Sequence, residues 1–230
     1  PRLWREMGTT WLPFVEWGYL VLAATLIQSI LAGFVFILLP LLFLARRATD
    51  RGALLWVLAY FAALGGAYMF LEIAFIQRFM LFLAYPVYAA TVVLTSFLIF
   101  SGLGSYFAAR TGLEPGRLVR RTVLGIGLVA LIYLAGLSVV YQAAAGWTDA
   151  IKIPLSILLL APLAFGMGIP FPTALQVVSD RYESLLPWAW GINGCASVAG
   201  ATLATFTAVH AGFRAVVVLA PSRLQTQPDE

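Results

Sequence analysis

The chain has 230 residues, 62% of them hydrophobic and 10% charged, with a mean hydropathy of +0.93. A water-soluble domain carries about 25% charged residues, so this composition cannot cover a surface in water, and a lipid-facing surface removes that need. The net charge of +4 comes from Lys and Arg scattered between apolar runs, which argues against a nucleic-acid partner because no basic stripe tracks a phosphate backbone.

Residues 1–18 hold Trp4, Trp11 and Trp17. They read as an interfacial segment, since Trp favours the boundary between lipid and water. Six apolar stretches follow, predicted as helical spans at Tyr19–Ala45, Ala53–Gln77, Val87–Ala109, Val123–Ala144, Ile153–Gln176 and Trp188–Ala208. Each reaches the roughly 20 residues that a helix needs to cross the hydrocarbon core. None alternates with a period of two, which excludes a transmembrane β-barrel. Lipid offers no hydrogen bonds, so backbone groups must pair within each segment as helix. The predicted fold is all-α: a polytopic bundle of about six spans within residues 19–213, multi-pass in the cell membrane.

Residues 214–230 are expected to be a stub and a tail. Ala215–Ala220 reads as the start of a truncated seventh helix, and Pro221–Glu230 as polar and disordered. The first residue is Pro1, and no cleavable signal precedes the first span. The sequence therefore reads as a fragment of a longer chain.

The connectors differ in charge. Arg46, Arg47 and Arg51 lie in the first, and Arg110, Arg117, Arg120 and Arg121 in the third. The loops near Arg78 and Lys152 are poorer in basic residues. This favours a cytoplasmic position for the first and third connectors. Six spans then place both termini outside. Trp147, Trp188 and Trp190 fall at span ends and read as interfacial.

Three constellations stand out inside the predicted spans. Glu72 is the one carboxylate well within a span, and a charge there is expensive unless it is neutral, paired or wetted. Arg78 follows six residues later, about 240° around a straight helix, so the two do not share a face. Glu72 reads as a proton, cation or amine site, or as half of a structural ion pair. Asn193 also needs a partner in lipid, and Glu72 is a candidate. The second constellation is Gly166, Gly168, Pro170 and Pro172, which predicts a helix break. Proline removes a backbone donor, and discontinuous helices build substrate sites in transporters; a plain kink is the simpler reading. The third is a small-residue row, Ala196, Gly200, Ala204 and Ala208, which suits close helix packing.

Ser101, Gly102, Gly104 and Ser105 form a similar patch, with no dinucleotide fingerprint. Cys195 is the single cysteine and His210 the single histidine; both read as structural. No nucleophile–base pair, P-loop or zinc motif is present. The sequence thus offers no catalytic residue, metal site or cofactor site.

The run Phe70–Phe79, followed by Tyr85-Pro86-Val87-Tyr88-Ala89, Ser101–Ser105, Gly168–Pro172 and Pro187–Gly194, resembles the membrane region of bacterial spermidine synthase-like membrane proteins. The likeness covers roughly Leu20 to Phe213. It implies hydrophobic helices joined to an upstream soluble aminopropyltransferase-like domain of Rossmann type, which lies outside this chain, so no catalytic residue carries over. Glu72, Arg78, Pro170, Pro172 and Asn193 match the membrane pattern without an assigned role. The expected partners are the lipid bilayer, the attached domain and a polyamine. A cytoplasmic domain before Pro1 would place the N-terminus inside. An extra upstream helix or an extracytoplasmic domain would reconcile that with the loop charges. A transporter of a small cationic or amine substrate and a purely structural membrane subunit are the alternative functions.

Overall fold

A computed structural model describes residues 12–33, 35, 39, 51–144 and 146–223. Among the described residues there are helices and short connectors, with no strand. The helices are α1 (Leu12–Gly33), α2 (Arg51–Leu83), α3 (Pro86–Arg110), α4 (Pro115–Ala143), α5 (Asp149–Met167), α6 (Pro170–Arg181) and α7 (Leu186–Arg223). A single 3-10 turn, Glu183–Leu185, links the last two.

Three stretches are long and apolar enough to cross a membrane: Gly52–Leu83, Pro86–Arg110 and the α5–α6 run Asp149–Arg181. A fourth is α4, if its two arms, bent by 49° between Tyr133 and Ala135, count as one crossing. The remaining two predicted spans do not meet that standard over their described residues. Of the first predicted span, Tyr19–Ala45, most of residues 34–45 lie outside the described residues, and its described apolar stretch is Ala23–Gly33. Helix α7 is long enough, but Asn193, Ser197 and several glycines in its first half dilute its apolar character. Trp4, Trp11, Arg46, Arg47 and most of residues 34–45 lie outside the described residues, as do residues 224–230.

Outward faces are as apolar as inward ones. Leu81 is 82% exposed, Val87 74% and Leu98 75%. Apolar surface on this scale is foreign to a monomer in water and suits contact with lipid tails.

Several boundaries differ from the sequence expectation. Helix α2 runs through the connector expected near Arg78 and ends at Leu83. Phe79, Phe82 and Leu83 are buried there, so helix and packing agree until Tyr85. That residue precedes Pro86, which disfavours the α conformation before it, and Tyr85 is extended at φ −122°, ψ 113°. Ala84 completes the turn at φ +60°. Helix α4 begins early, at Pro115, because proline suits the first helical position and Glu114 caps it, accepting from the backbone N–H groups of Gly116 and Arg117. Most of the basic third connector is therefore helix. The expected seventh stub does not exist as a separate element: Ala215–Ala220 continues α7, since Gly212 alone does not stop a helix.

Helix α7 lies between α1 and α2, α2 packs next on α3, α3 on α5, and α4 covers α5 and α6. Two apolar clusters fill the interior. One joins α2, α3 and α5 through Phe75, Phe79, Phe97, Leu160 and Leu163. The other joins α2, α6 and α7 through Val57, Phe61, Ala174, Val178 and Trp188. Trp188 is 4% exposed, so it is a core residue rather than the expected interfacial one; α6 and the start of α2 close over it. Trp147 and Trp190 are exposed.

The stretches α2, α3, α4 and α5–α6 alternate in direction between two ends. At one end Trp56 of α2, Arg120 of α4 and Arg181 of α6 line one cavity. At the other, Lys152 of α5 sits 5.5 Å from the ring of Phe82, which stacks on Tyr141 of α4 at 4.5 Å.

Candidate functional site

A cavity of about 600 Å³ opens between α2, α3, the α5–α6 junction and α7. Close backbone contacts set its frame. A methyl group added at Gly65 would overlap the carbonyl oxygen of Asn193 and stand 2.8 Å from its Oδ1 and 2.9 Å from Ser197 Oγ. One at Gly200 would stand 2.9 Å from Gly66 Cα. Helices α2 and α7 thus touch backbone to backbone. Ala196 and Ala204 belong to the same packed face: Ala204 is buried, and the Ala196 carbonyl faces Gly66.

The opposite wall is built the same way. A methyl at Gly104 would overlap the Phe165 carbonyl oxygen, and one at Gly168 the Ser101 carbonyl oxygen. Gly166 instead faces Ile126 of α4, 3.0 Å from where its Cβ would stand. The break between α5 and α6 is slight. Gly168 and Ile169 keep right-handed helical angles, φ −73° and −84°, and the chain resumes as helix at Pro170. It is a kink within one apolar run. Pro172 has no N–H to give the Gly168 carbonyl, and both residues line the cavity. Pro170 is fully buried behind it, its carbonyl accepting from Tyr60 Oη at 3.3 Å.

Polar groups enter this mostly apolar space from three helices. Tyr68 Oη donates to Ser101 Oγ at 3.4 Å. Asn193, Ser197 and Ser105 also line it, and Trp190 stands edge-on to Phe171 with centroids 5.0 Å apart. Ser197 Oγ donates to the Asn193 carbonyl at 2.8 Å, leaving the Asn193 side-chain amide without a hydrogen bond among the described residues.

Glu72, Arg78 and Asn193 are not brought together. Glu72 is 7% exposed and makes no hydrogen bond or ion pair among the described residues. It sits one turn beyond Tyr68 on α2, outside the cavity lining. Asn193 is fixed at Gly65, about 10 Å along α2 from Glu72 at 1.5 Å per residue, so it is no partner for the carboxylate. Arg78 is exposed and lines a smaller cavity of about 310 Å³ with Tyr133 and Tyr141. Cys195 donates its thiol to the Gly33 carbonyl at 3.2 Å, tying α7 to the end of α1. The side chain of His210 lies outside the described residues. Among the described residues no cluster of His, Cys, Asp and Glu could hold a metal.

Sequence reasoning missed Tyr68. The signal was there: Tyr68 and Glu72 stand four apart on a helix, hence on one face. It also missed Tyr133, whose hydroxyl donates to the Leu159 carbonyl, one residue along from the carbonyl that Pro162 deprives of its helical donor.

The fold and site define a class: an α-helical bundle with an apolar outer surface and an apolar cavity furnished with hydroxyls, an amide and an indole. No family model, curated protein or solved structure matches the chain.

Proposed function

We propose that the chain is an integral, multi-pass membrane domain of six crossings that binds a small aliphatic amine in the cavity beside Gly168. The crossings are α1, α2, α3, α4, α5–α6 and α7. From the resemblance to spermidine synthase-like membrane proteins comes the ligand class, a polyamine, and an anchoring role for an attached aminopropyltransferase-like domain. The observation that carries the ligand role is the convergence of Tyr68, Ser101, Trp190 and Asn193 on one cavity. Hydroxyl and amide oxygens accept from an ammonium, aromatic faces attract it, and the surrounding Leu and Met side chains accommodate methylenes. The volume of about 600 Å³ lies within the usual range of ligand pockets. Glu72, buried nearby, has no partner among the described residues, and a bound cation would supply one.

The test is binding of labelled spermidine to the purified chain in nanodiscs. Asn193→Leu is expected to weaken it about ten-fold, the value of one charge-assisted hydrogen bond, and Glu72→Gln, which removes a charge outside the cavity lining, to weaken it by less. Affinity unchanged in both variants removes the ligand role and leaves an anchor. Transport is the second reading, favoured by the kink at Gly168, since interrupted helices line substrate sites in transporters. Uptake of spermidine by proteoliposomes containing this chain alone separates it from anchoring.

A further inference from the structure

A second cavity, of about 590 Å³, lies at the basic end of the bundle between α2, α4 and α6. Its rim and its floor differ in chemistry. Arg120, Arg181 and Trp56 stand exposed at the rim, and Tyr60, stacked on Trp56 at 5.2 Å, reaches inward to the Pro170 carbonyl. The floor runs down α4 and α6 as Val119, Val123, Leu124 and Val177, and Val123 and Leu124 are 53% and 68% exposed. From the charge of the rim and the apolar track beneath it, we infer that this cavity is a binding site for one anionic glycerophospholipid, with the phosphate between Arg120 and Arg181 and an acyl chain along Val119, Val123 and Leu124.

Charge complementarity selects this occupant. Glu114 is the one carboxylate lining the cavity, and it is engaged elsewhere. Its Oε1 and Oε2 accept from the backbone N–H groups of Gly116 and Arg117 at 3.3 and 3.2 Å, and Oε2 lies 3.7 Å from Arg117 Nε. Arg120 and Arg181 have no ion pair or hydrogen bond among the described residues. Asp180 and Glu183 neighbour Arg181 in sequence, but neither lines the cavity. The positive end of the α4 dipole points to the same place. Two free guanidiniums against one engaged carboxylate leave a positive site, and planar guanidiniums bind phosphate oxygens in pairs. Trp56, exposed near the start of α2, is of the residue type that settles at headgroup depth in bilayers. Basic pockets between helices recognise anionic headgroups in this way.

The inference rests on the membrane reading, so two measurements are made on the full chain. Retention in the membrane pellet after alkaline carbonate tests residence. Native mass spectrometry from detergent, with phosphatidylglycerol, phosphatidylcholine or inorganic phosphate added, tests the site. Phosphatidylglycerol is expected to stay bound and phosphatidylcholine to leave. An Arg120→Gln/Arg181→Gln variant should lose about 25-fold in phosphatidylglycerol affinity, about five-fold per arginine. Val123→Trp, which fills the apolar track and leaves the arginines, should weaken lipid binding as well, and the melting temperature of each variant reports folding. Arg110→Gln is the control, because that guanidinium lies 4.4 Å over the Tyr106 ring and away from the cavity; it should bind as the parent does. Equal retention of both lipids, or undiminished phosphatidylglycerol binding by the double variant, overturns the site. Displacement of the lipid by millimolar inorganic phosphate together with indifference to Val123→Trp also overturns it, by showing a free-phosphate site. Any of these results with the chain still in the pellet sinks the lipid site and spares the membrane reading.

Discussion

At Gly104 and Gly168 the distance between α3 and the α5–α6 run is set by the absence of a side chain. Each glycine lies against a carbonyl of the facing helix, and neither carbonyl can swing aside as a side chain would. Alanine at either position forces two backbones apart. Gly104→Ala and Gly168→Ala are each expected to cost about 1–3 kcal/mol, as overpacking does, read as a lower thermal midpoint in detergent. Gly102, two residues from Gly104, meets nothing within 4 Å of its would-be Cβ, so Gly102→Ala should change stability by less than about 0.5 kcal/mol. The sequence marks the Ser101–Ser105 patch as small but does not say which glycine is in contact, because that depends on the rotation of α3 against α5. In the same way Gly168 reads in sequence as a helix breaker, whereas its backbone stays helical and its smallness serves a crossing.

Among the elements, α2 is the one on which both apolar clusters meet. Its inner row, Phe61, Phe75 and Phe79, is buried and its outer row, including Leu81, is not. Phe79→Ala should cost about 3–5 kcal/mol, while Leu81→Ala, at an exposed position, should fall within about 0.5 kcal/mol. Chemical unfolding in mixed micelles measures both. Charge-free runs locate α2 and α3 well in sequence, and Pro86 fixes the turn between them. They misplace the end of α2, because Arg78 looks like a boundary marker although the helix continues for five apolar residues beyond it, Phe79–Leu83. They also hide the start of α4, whose first turns carry Arg117, Arg120 and Arg121 on a capped helix rather than in a loop.

The alternation of helix directions is a property of the whole chain. In a Cys195→Ala background, cysteines at Leu113 and Tyr182 should be labelled by a membrane-impermeant maleimide from one side of sealed vesicles. Cysteines at Tyr85 and Trp147 should be labelled from the other. Labelling of Leu113 and Tyr85 from the same side would break the topology. All-helical architecture is legible in the sequence, since its long apolar runs lack the two-residue alternation of a barrel, the other way to satisfy the backbone in lipid. The number of crossings is less so: α7 trades apolar residues for the small ones that let it approach α2, so its hydropathy understates its burial. The cavity was partly legible, through Gly168, Pro172 and Asn193, but their meeting with Tyr68 and Ser101 depends on how four helices cross.

Helix α2 has 33 residues, about 50 Å at 1.5 Å per residue, against a hydrocarbon slab about 30 Å thick. A strand of oil that deep, counted from the ring of Trp56 at one headgroup layer, is used up near Ile76. In such a bilayer Arg78, exposed on α2, would emerge among the phosphates of the opposite leaflet, and Glu72 would remain about 9 Å short of them. A thinner bilayer would bring Glu72 to the headgroups, and a thicker one would pull Arg78 under, so the ionic character of this helix is tied to the thickness of the membrane that holds it.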